Sequence, residues 1–382
     1  WSPSEETSQK VGMPVLLTAL ALLLAESKGV SLRCSRCHPP KLTATASTSS
    51  SVPPPLAWSP SPDSTWLWKT AEATYTVNYI AVGDPEAEPM LLIHGFGASG
   101  FHWRRNVNVL ADAGYRVYAI DLLGFGLSSK PVIEYDASIW RQQCEAFLRE
   151  VAGCGDGKRA LVAGNSIGGY TALSVGSAHP ELVRGVVSLN GAGRFAPSPE
   201  EVALLAVQEA EAAARNPVQR AVVDLLASMA TALQRAVAYA GLFVTKQPLR
   251  IKQVLRTVYP VNPDAADDEL VASIQYPADD EMGLAPPGQI PEVFYRIVTR
   301  NARGGTTPID SLLEQLEVPL LLLWGEQDPW IVSKTGDRIQ MMAEAMGKDV
   351  RRISVNAGHC PQDEAPEEVN TALLEFAQSL GK

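Results

Sequence analysis

Residues Leu161–Ala172 read LVAGNSIGGYTA. The apolar residues Ala160 to Ala163 have the length of a short buried strand, and they run into Gly164-Asn165-Ser166-Ile167-Gly168, with Gly169 opening a segment patterned as a helix. Glycines two places before and two places after the serine let a strand turn into a helix at one corner, where a Cβ on either flank would clash. A corner of this kind holds a serine hydroxyl clear of the sheet, as a nucleophile requires.

Working outward, strands are predicted upstream at Thr74–Val82, Met90–Ile93 and Arg116–Ile120, and downstream at Gly185–Leu189, Val318–Leu323 and Val350–Val355. Helices are predicted at Ala137–Ala152 and Pro366–Leu380, and folded sequence begins near Trp66. Short apolar strands alternating with helices predict an α/β fold, with a mostly parallel central sheet flanked by helices. Ligands gather at the carboxyl ends of the strands in such sheets. His94-Gly95-Phe96-Gly97, the DLLGFG run Asp121–Gly126 and the serine corner all fall there.

The alternation stops between about residues 197 and 306, which read as a helical cap inserted between a core of residues 63–196 and its continuation, 307–382. Helical patterns cover Glu200–Arg215, a second helix bearing Val222, Leu225, Leu226, Met229, Leu233 and Val237, and Leu249–Val258. The stripe on the second helix is expected to pack over the site as a substrate roof. Its alanine- and leucine-rich character favours a greasy ligand over a sugar.

A serine attacks well only when a base takes its proton, and imidazole is the usual base at neutral pH. Of the five histidines, His38 lies in the N-terminal tail and His179 late in the helix after Ser166. His94 opens a turn whose backbone matters more than its ring, and His102 with Trp103 lines a pocket or packs in the core. His359, after the final strand, is the candidate base. Asp328 follows the preceding strand in a short turn and is the candidate acid, whereas Asp121 reads as a structural turn residue. An oxyanion needs donors, and the N–H groups of Ile167 and Phe96 are the candidates. A serine at position 166, rather than an aspartate, points to an acyl-enzyme formed from an ester.

The bulk composition narrows the class. With 382 residues the chain has ample length for a large core, and a net charge of -10 argues against sequence-independent nucleic-acid binding. The five cysteines are too few and too irregular for a disulfide framework, which suggests a reducing compartment. Met13–Ala25 is an uncharged run of thirteen residues, short of the roughly twenty a membrane span needs. It suits a signal-type segment, a surface anchor or a buried helix. From Ser27 to Pro62 no acidic residue occurs and serine, threonine and proline dominate, so residues 1–62 read as a disordered, transit-peptide-like leader. Cys34-Ser35-Arg36-Cys37-His38 has the haem-attachment spacing, but the surrounding low-complexity sequence offers neither a crevice nor a second ligand, and zinc would want a fourth. No metal or redox cofactor is implied.

At these residues the chain resembles the α/β-hydrolase superfamily, and within it the plastid pheophytinase and chlorophyll dephytylase group. The likeness rests on GNSIGGY at Gly164–Tyr170, VLRTVYPVNPDAADDELVASIQYPAD at Val254–Asp279, WGEQDPW at Trp324–Trp330 and GHCPQDEAPEEVN at Gly358–Asn370. The first and third motifs are general to the superfamily, and the other two discriminate further. Gly283–Ile290, rich in glycine and proline, departs from the pattern. The resemblance implies Ser166 as nucleophile, Asp328 as acid and His359 as base. It also implies hydrolysis of the phytyl ester of chlorophyll or pheophytin, a chloroplast address, and peripheral contact with the thylakoid membrane. A plastid lipase or general carboxylesterase, and a hydrolase-fold ligand receptor, remain the alternatives.

Overall fold

Eight apolar runs become strands of one sheet because helices cover both faces of its centre. They are β1 Thr65–Lys69, β2 Thr74–Val82, β3 Glu88–Ile93, β4 Tyr115–Ile120, β5 Ala160–Asn165, β6 Val183–Leu189, β7 Leu320–Gly325 and β8 Val350–Val355. The computed structural model describes residues 64–279, 283–301 and 307–381. The leader expected over residues 1–62, with its apolar run and its C-x-x-C-H motif, lies outside these residues. The sheet order is β1-β2-β4-β3-β5-β6-β7-β8. The β1/β2 and β2/β4 pairs are antiparallel and all others parallel. Strands β5, β6 and β7 are buried from end to end, which is why they read as unbroken apolar runs rather than alternating ones. This is the α/β-hydrolase fold that the sequence predicts.

The helices are α1 Val107–Asp112, α2 Ala137–Glu150, α3 Ile167–Ala178, α4 Pro199–Ala213, α5 Pro217–Thr245, α6 Pro248–Val258, α7 Asp268–Gln275, α8 Ile290–Asn301, α9 Ile309–Gln315, α10 Ser333–Ala345, α11 Pro361–Glu364 and α12 Pro366–Ser379. Strand order reverses at β3, which has β4 on one side and β5 on the other. A crevice opens beyond the strand ends at such a reversal. The register places Ile93 opposite Gly164, so the loops after β3 and β5 leave the sheet side by side.

Three expectations change. Thr65–Lys69 is a strand that the sequence reading passed over: it forms a hairpin with β2 across a turn closed by the Thr70 N–H to Ala73 carbonyl bond, 2.8 Å. Trp68 is buried in that hairpin, and Trp66 stacks on it and against Phe147. Strand β7 begins at Leu320 rather than Val318, since Pro319 has no N–H for the ladder. The third change concerns α5. Its stripe was expected to form a roof over the site, yet Val222, Leu225, Leu226, Met229, Leu233 and Val237 are all exposed. The helix meets α8 through the opposite side, where Ala238 and Leu242 are buried and Tyr239 Oη donates to Glu292 Oε2 at 2.7 Å. The stripe therefore faces away from the molecule's own core.

Candidate active site

Ser166 sits at the corner between β5 and α3 with φ 56° and ψ -117°, in the left-handed region that a serine adopts only under constraint. The constraint is visible on both flanks. A Cβ on Gly164 would lie 2.1 Å from the Gly168 carbonyl oxygen, and one on Gly168 would lie 2.3 Å from that of Ile93. No side chain fits in either place. Ile167 is the first residue of α3, so its N–H has no acceptor within the helix and is available to a ligand.

The loop after β3 lies against this corner: a Cβ on Gly95 would stand 3.3 Å from Ser166 Cβ. Here the ring of His94 does more than the sequence reading allowed. Its Nε2 accepts from the Leu122 N–H at 3.0 Å, so Nδ1 carries the proton and donates to the Gly95 carbonyl at 2.7 Å. The ring thus stitches the loop bearing Phe96 to the loop after β4, and burial holds it neutral by lowering its pKa. Asp121 behaves as the turn residue it resembled. It accepts from Gly100 N, Leu127 N and Asn78 Nδ2 at 2.6 to 2.9 Å.

Asp328 follows β7 and His359 follows β8, and the two are joined by a 2.7 Å bond between Oδ2 and Nδ1. A carboxylate only accepts, so Nδ1 holds the proton and Nε2 presents its lone pair. The other bonds to Asp328 fix its plane: Asn190 Nδ2 donates to Oδ2 at 2.8 Å, and the Trp330 and Ile331 N–H groups donate to Oδ1 at 2.7 and 3.1 Å. Trp330 also packs against the imidazole, ring centroids 5.0 Å apart. Asn165, immediately before Ser166, donates to the His359 carbonyl at 2.8 Å, tying the serine corner to the histidine loop. His179 is elsewhere, at the end of α3 beside Glu181.

Two buried carboxylates after His359 hold the helical insertion to this site. Glu364 accepts three main-chain N–H groups: Val261 and Asn262 on Oε1 at 2.7 and 2.8 Å, and Gly358 on Oε2 at 2.5 Å. The chain at Gly358 passes so near the end of α6 that a Cβ there would be 2.4 Å from the Val258 carbonyl oxygen. Asp363 accepts from Arg104 Nε, Arg105 Nε and Tyr259 Oη at 2.9 to 3.1 Å. Arg104 also bonds Asp267 Oδ1 at 2.8 Å and the Ala265 carbonyl at 2.9 Å. The two discriminating motifs, Val254–Asp279 and Gly358–Asn370, therefore meet physically. Asn165, Asn190, Trp330, Asp363 and Glu364 escaped the sequence reading of the site. Asn190 and Trp330 do follow strands β6 and β7, which was the available signal.

His102 and Trp103 are both buried. Because Tyr259 Oη donates to Asp363, it accepts from His102 Nε2–H, 2.6 Å away. Burial drives the His102 pKa down to about 4, and the Asp363 charge opposes this without cancelling it. Between pH 6.5 and 4 the unfolded chain then binds a proton at this residue that the folded chain refuses. The stabilisation is complete above about pH 6.5 and is lost as pH falls towards 4, by roughly 3 kcal/mol over the window. Urea unfolding of wild type and His102→Gln across this range should show a shallower pH dependence in the variant; identical slopes would remove His102 as the cause.

Among the described residues no group of three or more His, Cys, Asp or Glu side chains is placed to hold a metal.

A family model described as "Alpha/beta hydrolase family" matches residues 90–372. Chloroplastic pheophytinase of Arabidopsis thaliana is 28% identical over 337 residues, covering 77% of this chain, and the chain spans 62% of that protein's length. Epoxide hydrolase 3 of Xenopus tropicalis is 27% identical over 301 residues, covering 78% of this chain and 74% of its own. Among solved structures, a thermophilic esterase from Thermogutta terrifontis superposes with a TM-score of 0.58 at 19% identity, covering 83% of this chain and 98% of that one, a likeness of fold.

Proposed function

The chain belongs to the α/β-hydrolase family, and from that premise we propose that it is a serine esterase using Ser166 as nucleophile, His359 as base and Asp328 as acid. The observation that carries the proposal is the Asp328–His359 bond at the rim of the sheet whose serine corner is joined, through Asn165, to the main chain of His359. In the first step Ser166 Oγ attacks the ester carbonyl carbon while His359 Nε2 takes its proton. The negative charge gathering on the carbonyl oxygen is met by the N–H groups of Ile167 and Phe96. As the tetrahedral adduct collapses, the imidazolium returns the proton to the departing alkoxide, leaving an acyl-serine and a free alcohol. Water, deprotonated by the same imidazole, then releases the acid and restores the serine.

The surroundings of this centre support one substrate class. Phe96 packs edge-on against Phe125 at 5.6 Å and near Phe294 at 6.2 Å, and Trp330 covers the imidazole. Aromatic walls suit an apolar ester. Likeness to a chloroplastic pheophytinase supports the phytyl ester of chlorophyll or pheophytin as that substrate, and together with the acid-poor leader supports a plastid address. The residues between β6 and β7 would be its cap.

The deciding experiment is product analysis after incubation with detergent-solubilised phytylated pigments, glycerolipids and p-nitrophenyl esters. Release of phytol from the pigments supports the full reading. Turnover of p-nitrophenyl or glycerolipid esters alone reduces it to a lipase or carboxylesterase. Tight retention of a ligand without turnover would replace it with a receptor. In the active case, Asp328→Asn should lower kcat about 10⁴-fold with little change in melting temperature, because the amide no longer holds the imidazole in the reactive tautomer. A loss below tenfold would assign the acid role elsewhere.

A further inference from the structure

Helices α4 and α5 open with paired signals: Ser198 with Glu201 and Asn216 with Gln219 form capping boxes, each followed by proline in the first turn. These are well-specified helices, yet α5 buries Ala238 and Leu242 near its C-terminal end and leaves its apolar stripe exposed. At 3.6 residues per turn, Val218, Leu225, Leu226, Met229, Leu233 and Val244 fall within an arc of about 100°. Arg235, Ala238 and Leu242, which meet α8 and its neighbourhood, lie on the opposite side together with Arg220 and Asp224. A helix on a protein in water buries its apolar stripe. Here Leu226, Met229 and Leu233 are 58%, 61% and 66% exposed.

We infer that the α4–α5 hairpin docks this protein onto an uncharged lipid surface. Several observations select that occupant. The stripe from Val218 to Val244 is about 39 Å long, whereas the thirteen uncharged residues Met13–Ala25, even as a helix, would cover roughly half of it. On α4 the exposed Val202, Leu204, Leu205 and Val207 point around the whole circumference rather than to one side. A second copy of the chain offers a surface of one fixed shape, whereas a fluid lipid surface adapts to whichever of these side chains face it. From Pro199 to Thr245 there are five acidic and three basic residues, so the hairpin lacks the basic face that draws helices to anionic lipid. The charged residues on the far side of α5 set it in the plane of the surface, not across it. The base of the hairpin continues towards the site: Leu242 packs with Ile290 and Phe294, and Phe294 is the neighbour of Phe96. A lipophilic ester leaving the surface would follow that path, a step that rests on the esterase reading.

The test is flotation of the full chain with neutral phosphatidylcholine vesicles, comparing wild type with L226E/M229E/L233E, whose positions are exposed and take no part in the proposed catalytic group. Wild type should partition to the vesicles equally at low and high salt, and the variant should lose about tenfold or more. Hydrolysis of a soluble ester should be unchanged in the variant, and hydrolysis of the same ester embedded in vesicles should fall in step with binding. Equal partition of the two proteins overturns the inference, as does failure of wild type to bind or binding that needs anionic lipid and disappears in salt. A lipid-free dimer of the wild type that the variant dissolves would assign the stripe to a second copy. Hairpin-dependent flotation without any ester turnover would sink the esterase reading and leave the docking intact.

Discussion

Ser166→Ala is expected to lower kcat/KM for ester hydrolysis by at least about 10⁴-fold, with no burst of alcohol release and little change in the unfolding midpoint. Removal of the nucleophile from a serine hydrolase leaves only the binding site and the oxyanion donors, which supply a small residual rate. Stability should hold because alanine meets the same backbone demand at φ 56° as serine does, and the side-chain oxygen makes no capping bond to α3. Single-turnover assays with a p-nitrophenyl ester and urea titration separate the two effects. A variant retaining a tenth or more of the activity would mean that the nucleophile is another group, and that the strained corner serves some purpose other than acyl transfer.

Asp363→Ala should destabilise the fold by about 3–5 kcal/mol, the cost of stripping one member from a buried ion pair. The Asp363 side chain is fully buried and that of Arg104 is 8% exposed, so the guanidinium left behind has little access to water. It keeps the partly exposed Asp267 as a second partner, and Arg105, which is 40% exposed, contributes little to the loss. Tyr259 Oη would lose its acceptor as well. Asp363→Asn, which preserves an acceptor for Arg104, should lose clearly less. The measurement is the urea midpoint at constant m value. A shift equivalent to less than about 1 kcal/mol would show that the insertion is held to the sheet by other contacts. Activity should fall too, since Asp363 lies four residues beyond His359 on the segment that the network anchors.

Much of this architecture is legible in one dimension. Strands β5, β6 and β7 announce themselves because both their faces are buried, and Ser166, Asp328 and His359 stand out because each follows a strand on the same edge of the sheet. Strand β1 was not legible. It is five residues long, and two of the five are tryptophans whose burial depends on β2 and Phe147. The Arg104–Asp363 pair was hidden for a different reason. Its members are 259 positions apart, and either alone looks like an ordinary charged residue.

What the amino-acid order determined by itself is local: where the backbone must turn without a Cβ, which runs must be buried, and which residue types stand at the strand ends. Only the tertiary structure decided partners and orientation. Periodicity marks α5 as two-faced, but the choice of which face meets the rest of the chain is made where Arg235, Tyr239 and Leu242 engage α8. Helical spacing defines a stripe relative to its own axis and says nothing about where that axis is mounted.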